Sequence, residues 1–206
     1  MSIPWRNLGL YYWAVKNDHA KSEACFRNAI SSRPFDQTLY RDLARVLLDN
    51  GRRPEAITLL ENMSFKGARR SDIIQDLAQY YLDEKRFEET YRLLISTPYF
   101  VNWEGSTLTW DMFNQAHVGQ GAELFNQKKY KEALEHFETA LTWPENLGVG
   151  HSVRTEEALA WFWKGKTLLA LGKSKEALAA WKHGSELPDG SAKQIEYRKM
   201  CKSLLE

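Results

Sequence analysis

The 206-residue sequence predicts an all-α chain, a solenoid of about five stacked helix pairs closed by a C-terminal capping helix. Three observations carry that expectation. The chain resembles itself at a shift of 34 residues. Small residues recur at fixed places, and large aromatic ones recur at others. Helix breaks at Asn50-Gly51, Gly172, Pro34, Pro98, Pro144 and Pro188 fall at the edges of the repeated helices. A period of this size marks stacked repeats, in which each unit can bury its apolar stripes only against its neighbours.

The second pair, residues 36–65, is the clearest reference. It carries Asp42-Leu43-Ala44, Leu47, Gly51, Ala56 and Leu60. A shift of 34 gives Asp76-Leu77-Ala78, Tyr81, Lys85, Thr90 and Leu94, which defines the third pair over 70–98. That pair is the weakest, with Thr90 and Thr97 at small-residue positions. A shift in the other direction reaches Ser22, Phe26 and the closing Pro34 of the first pair, 4–34. Its first helix, with Trp5, Leu8-Gly9 and Tyr12, sits one residue out of register, so its inter-helix turn should be one residue longer.

Two more copies follow. Gly121, Leu124, Tyr130, Ala133, Phe137 and Ala140 mark a fourth pair over 110–144. Trp161, Gly165, Leu168, Gly172, Ala177, Trp181 and Gly184 mark a fifth over 157–188. Small residues at Ala44, Ala78, Gly121 and Gly165 let the two helices of a pair approach closely. Phe26, Phe137 and Trp181 are expected to fill the space between successive pairs. Residues 189–206 read as a cap that buries Ile195, Met200, Leu204 and Leu205 and turns a charged face outward.

The ordered set of a Trp, a Leu-Gly pair, a Tyr, a small residue, an aromatic, a second small residue and a terminal Pro resembles the tetratricopeptide repeat. Residues 129–141 match it best, and Gly172-Lys173-Ser174-Lys175-Glu176-Ala177-Leu178 nearly as well. The resemblance covers roughly residues 4–187. It implies a right-handed superhelical arrangement and a role in binding other proteins. The segment Tyr130–Leu141 with Trp143-Pro144-Glu145-Asn146-Leu147-Gly148-Val149-Gly150 also resembles the repeat tail of large bacterial proteins that carry an uncharacterised mutarotase-like β-sandwich domain. That resemblance implies a link to carbohydrate metabolism, and a chain that is a piece of something longer.

Residues 98–109 and 144–155 are insertions into the plain repeat. Long loops in compact domains are usually functional or disordered. Here the apolar content argues for order: Tyr99, Phe100, Val101 and Trp103 in one, Leu147, Val149 and Val153 in the other. Both insertions follow second helices of consecutive pairs, so they are expected to emerge on one side and pack together, with Asn146 and His151 at the rim.

Composition excludes several functions. Lys+Arg number 28 against 27 Asp+Glu, so no basic excess points to nucleic acid. No run of eighteen apolar residues suggests a membrane span. Cys25 and Cys201 stand far apart and read as free thiols of a reducing, cytoplasmic compartment. His19, His117, His136, His151 and His183 form no metal-ligand spacing, and His136 and His183 read as solvated surface residues. Gly165-Lys166-Thr167 and Gly172-Lys173-Ser174 lack the upstream Gly and strand of a phosphate loop. Neither a cofactor nor a catalytic group is expected.

The function expected is therefore a non-enzymatic scaffold that binds a protein or peptide, or another domain of its parent chain. The alternative is an accessory region of a carbohydrate-related bacterial enzyme or sugar-binding protein; sugar is the weaker partner. Trp5, Trp161 and Trp181 fall at repeat core positions, while Trp103, Trp110, Trp143 and Trp163 are left to the insertions. Candidate binding residues are Arg41, Arg45, Gln75 and Gln79 on the first-helix face, and Trp103, Asn146 and His151 in the insertions. The tetratricopeptide class that clamps a terminal carboxylate uses Lys, Asn and Arg at places that here include Asn7, Tyr11, Asp42, Asp72 and Asp76. Three acids there would repel a carboxylate.

Overall fold

A computed structural model describes residues 1–151 and 156–206. The described residues form eleven α-helices, one short 3-10 helix and no strand. The helices are α1 (Ser2–Ala14), α2 (His19–Ser32), α3 (Gln37–Asp49), α4 (Arg53–Glu61), α5 (Ser71–Asp83) and α6 (Phe87–Ser96), then α7 (Leu108–Asn126), α8 (Tyr130–Ala140), α9 (Ala158–Ala170), α10 (Ser174–Glu186) and α11 (Ala192–Ser203). The 3-10 turn is Glu145–Leu147. The chain divides into two compact units, Met1–Tyr80 and Tyr81–Glu206.

The hairpin turns show why the period is so regular. Gly51, Lys85, Lys128 and Gly172 all take a left-handed backbone, with φ of 71°, 57°, 63° and 78°. Each follows a first helix and sits in the same pair of hydrogen bonds. Arg52 N–H donates to Leu47 O and Gly51 N–H to Leu48 O, and the same two bonds recur from Arg86, Lys129 and Lys173. This is the helix stop in which a left-handed residue satisfies orphaned carbonyls. The first hairpin is longer. Asn17 takes φ 49°, and Asp18 N–H reaches back six residues to Tyr12 O. Lysine gains nothing from a left-handed backbone, where a Cβ costs roughly 1 kcal/mol relative to Gly. Lys128→Gly is therefore expected to stabilise residues 81–206 by up to about 1 kcal/mol, read as a higher urea midpoint with an unchanged slope. A lower midpoint would contradict the turn assignment.

Within the pairs, glycine and aromatic side chains interlock. A Cβ on Gly9 would lie 3.1 Å from the Phe26 ring, and one on Gly121 would lie 2.7 Å from Phe137. A Cβ on Gly165 would run into the Trp181 indole, whose Nε1–H donates to Phe162 O at 3.1 Å. The aromatic rings thus press on the small residues of their own pair, where the sequence had suggested the space between pairs. The helices come close at the small residue, and the ring is what fills that crossing.

In the first unit, Leu39, Leu43, Ala44, Leu47, Leu60, Ile73 and Leu77 are buried. Burying a Leu or Ile side chain contributes about 1.5–3 kcal/mol, so the α3–α4 layer and the α5 face carry this unit. Asp18 caps α2 by accepting Lys21 N–H, and Asp36 caps α3 by accepting Thr38 N–H. Trp5 is not a core residue; it is 40 % exposed. Among the described residues α1 packs on α2, and no second pair covers its outer side.

In the second unit, Trp110 stacks on Trp143 with ring centroids 3.9 Å apart, and its Nε1–H donates to Thr142 O. Val118, Leu124, Ala133, Phe137, Ala140 and Ala160 form one cluster, and Phe162, Leu168, Ala177, Ala180, Trp181 and Cys201 another. The cap buries a different face from the one its apolar residues suggested. Gln194 and Cys201 are buried and Tyr197 packs on Phe162, whereas Met200, Leu204 and Leu205 are exposed. Hydrogen bonding decides this phase: Ser191 caps the helix, and Gln194 Oε1 accepts the N–H of Ala158 at the start of α9. Gly184 leaves just enough room for the Cys201 thiol.

Candidate partner-binding site

Three surfaces compete for a functional role. The first is the face made by the first helices α1, α3 and α5. Arg6 donates to Asp42 at 2.7 Å, Arg41 donates to Asp76 at 2.6 Å and to Asp72 at 2.7 Å, and Arg45 lies 3.8 Å from Asp76. Trp13 Nε1–H donates to Asp49 at 2.7 Å. These charges pair between helices, 31 to 36 residues apart, and Asp72 is held in addition by Arg70 from just ahead of α5. The acids are neutralised by arginines of the preceding first helix. Hydrogen bonding to Asp76 raises the Arg41 pKa further above its ordinary value.

The second surface is the meeting of the two insertions. Phe100 N–H donates to Asn146 O at 2.9 Å, and Asn102 Nδ2 donates to Leu147 O at 2.7 Å. Thr109 Oγ1 donates to the same Leu147 carbonyl. Asn146 turns inward, its Nδ2 donating to Leu94 O and Thr97 O. Gly148, at φ 64°, admits the Phe100 carbonyl where any Cβ would collide. Phe100 and Leu147 are buried in this contact, but Tyr99, Val101 and Trp103 are exposed, Trp103 at 90 %. A turn closed by Ser106 N–H on Trp103 O holds that ring outside. Val153, expected to add apolar surface to the second insertion, lies outside the described residues.

The third surface is a cleft of about 400 Å³ between α7, α9 and α11. Leu108, Asp111, Asn114 and Gln115 line it from α7, Glu156 from just ahead of α9 and Leu159 from its first turn, and Ser191, Lys193 and Gln194 from the cap. Asp111 accepts a hydrogen bond from Thr107 at 2.8 Å. Burial, and to a lesser degree the Glu156 carboxylate, push the Asp111 carboxyl above its usual range. Glu156 accepts from the backbone and hydroxyl of Ser191, which ties the cap to the cleft wall. Asn114 is 5 % exposed, and its Nδ2 donates to Ala140 O at 2.9 Å.

The tetratricopeptide repeat family profile matches residues 6–63. Within that stretch, α1 to α4 are two tetratricopeptide-type helix pairs. Solved structures extend the likeness of fold over the whole chain. One crystal structure of MamA is 18 % identical, with TM-score 0.56 over 95 % of this chain and 96 % of that one. YrrB, described as a tetratricopeptide protein with an unusual peptide-binding site, is 17 % identical, with TM-score 0.53 over 99 % of this chain and 91 % of that one.

On this repeat framework the sequence-derived candidates separate. Arg41 and Arg45 of α3 share Asp76, and Gln75 and Gln79 lie on α5, the helix that carries Asp76. Asn146 and Trp103 belong to the insertion contact, one bonded inward and the other outside. His151 is exposed, 3.7 Å from Glu157, with its ring 4.9 Å from Trp143. The cleft lining was missed altogether. The two Gly-Lys motifs fall in α9 and in a hairpin turn.

The histidines also differ from expectation. His117 of α7 and His136 of α8 meet Nδ1 to Nδ1 at 3.0 Å, with Tyr91 stacked on His117 at 4.5 Å. One imidazole must donate and the other accept, so the two rings cannot both be protonated. His136 is half-buried against its partner rather than solvated. Burial lowers the His117 pKa to about 3, helped by His136, and burial lowers that of His136 as well. Among the described residues no group of three or more His, Cys, Asp or Glu could hold a metal ion. No described helix is long and apolar enough to cross a membrane.

Proposed function

We propose that the chain is a non-catalytic interaction scaffold that receives a peptide segment, from a partner protein or from another domain of its parent chain, in the cleft between α7, α9 and α11. The observation that carries this reading is the cleft itself. Its volume lies within the usual range for binding pockets, and it is lined by two apolar side chains among several polar ones. Its walls are helix ends held by hydrogen bonds, so a ligand meets a preformed surface. The first-helix face with Arg41, Arg45, Gln75 and Gln79 is the second candidate, and a partner there must compete with the internal ion pairs. Two buried free thiols suit a reducing cytoplasm.

The test is selection of a displayed peptide library on the full chain, followed by binding to Gln115→Trp. Gln115 is exposed on the cleft wall, so the indole fills the cleft without entering the core. Selected peptides are expected to lose at least about tenfold in affinity on this variant, which corresponds to about 1.4 kcal/mol. Equal binding by both proteins overturns the cleft. Sugar contact is the alternative reading, favoured by the exposed Trp103 ring, because aromatic faces suit sugar stacking. Quenching of Trp103 fluorescence by oligosaccharides, lost in Trp103→Ala, would support it.

A further inference from the structure

The charge and hydrogen-bonding capacity of the cleft go further than its shape. Two carboxylates, Asp111 and Glu156, line it, and among the described lining residues the sole cation is Lys193. Lys193 is exposed and is paired with neither of them. Asp111 is satisfied by a neutral hydroxyl, Thr107, and Glu156 by the neutral Ser191. Elsewhere acids bind arginine, as Asp42, Asp72 and Asp76 do. Among the described residues neither carboxylate has a counter-ion; partly buried carboxylates in that state are costly, and a ligand that supplies a cation recovers the cost.

Asn114 supplies the independent observation. It is nine-tenths buried, and its Nδ2 is held by Ala140 O. Among the described residues its Oδ1 has no hydrogen-bond partner, and it is the polar atom that Asn114 can present to the cleft. An amide fixed by its nitrogen and open at its oxygen is a positioned acceptor, suited to one N–H of an extended backbone. Leu108 and Leu159 add apolar wall of the kind that covers the stem of a long basic side chain.

We propose that the cleft selects peptide segments bearing a Lys or Arg, whose cationic head lies between Asp111 and Glu156 while a neighbouring main-chain N–H is accepted by Asn114 Oδ1. This rests on the cleft being the peptide site. The charge supplied by the ligand replaces the missing internal one, and the amide fixes the register of the segment. Binding should weaken with salt, because part of the attraction is between ions.

The test uses peptides selected by the full chain and their neutral counterparts, with Arg replaced by citrulline or Lys by norleucine. Affinities are measured on the wild type, on Asp111→Asn/Glu156→Gln and on Gln115→Trp, with circular dichroism confirming that each variant is folded. Asn keeps an acceptor oxygen for Thr107, and Gln keeps one for the Ser191 N–H while its amide nitrogen can donate to the Ser191 hydroxyl. The expected result is enrichment of Lys or Arg at one position. Neutralising either the peptide or the two acids should cost about tenfold or more, with little further loss when both are neutral. Peptides blocked by Gln115→Trp but without a basic preference would leave the cleft standing and overturn the cationic ligand. Peptides unaffected by Gln115→Trp, or none selected at all, would overturn both.

Discussion

Ala133→Trp is expected to unfold residues 81–206 or to lower their stability severely. Ala133 is fully buried on α8, in the cluster with Val118, Leu124, Phe137, Ala140 and Ala160. Its neighbours are themselves fixed: Phe137 is pressed against Gly121, and a ring that cannot retreat leaves no space for an indole. Overpacking typically costs about 1–3 kcal/mol even for added methylenes, and a domain has only about 5–15 kcal/mol to lose. A thermal melt followed by circular dichroism should show the transition from residues 81–206 shifted far down or lost. A melt indistinguishable from wild type would mean that the repeat register is wrong.

Acid should destabilise the second unit through the histidine pair. In the unfolded chain His117 takes up a proton near pH 6.5, whereas in the fold it resists protonation down to about 3. The unfolded state therefore binds more protons over that window, and stability is lost as pH falls from about 6.5 towards 3. One such group gives a slope of about 1.4 kcal/mol per pH unit, hence about 2 kcal/mol between pH 6.5 and 5. His136 adds in the same direction, with the neighbouring Glu135, Glu132 and Glu88 carboxylates opposing it. Urea unfolding read by tryptophan fluorescence at pH 7.0 and 5.0 measures the effect. The wild type should lose stability between the two, and His117→Gln should lose clearly less. Equal losses would remove the pair as the cause.

The repeat pattern was readable because its causes are local. A left-handed turn residue, a small residue one helix-width from a ring and a breaker between pairs each leave a mark at fixed spacing. Even the extra residue in the first hairpin was visible, as the offset of Gly9 from Phe26. The contact between His117 and His136 was not, because the two residues belong to different helices and neither breaks a rule of its own. A signal existed: His136 adjoins Phe137 and His117 lies one turn before Gly121, which is where those helices cross. The cap misled because its most apolar residues are not the ones that dock. Docking is set by a Gln194–Ala158 hydrogen bond that hydropathy does not weigh. The cleft escaped for a similar reason. Asp111 and Glu156 lie 45 residues apart, nearly the spacing of Gly121 and Gly165, but the third wall comes from a helix outside the repeat pattern.

The ion pairs along α1, α3 and α5 have a direction. In those that join two helices the guanidinium comes from the earlier helix and the carboxylate from the later: Arg6 to Asp42, then Arg41 to Asp72 and Asp76. Asp42 and Asp76 hold equivalent positions 34 residues apart. A tandem duplication of residues 36–69 would therefore offer each Arg41 an acid on the next copy. Transposing the same segments so that an arginine no longer precedes its acid would strand both charges. The sequence of this face thus encodes the order in which its repeats can be joined, and lets the array lengthen by whole units but not be shuffled.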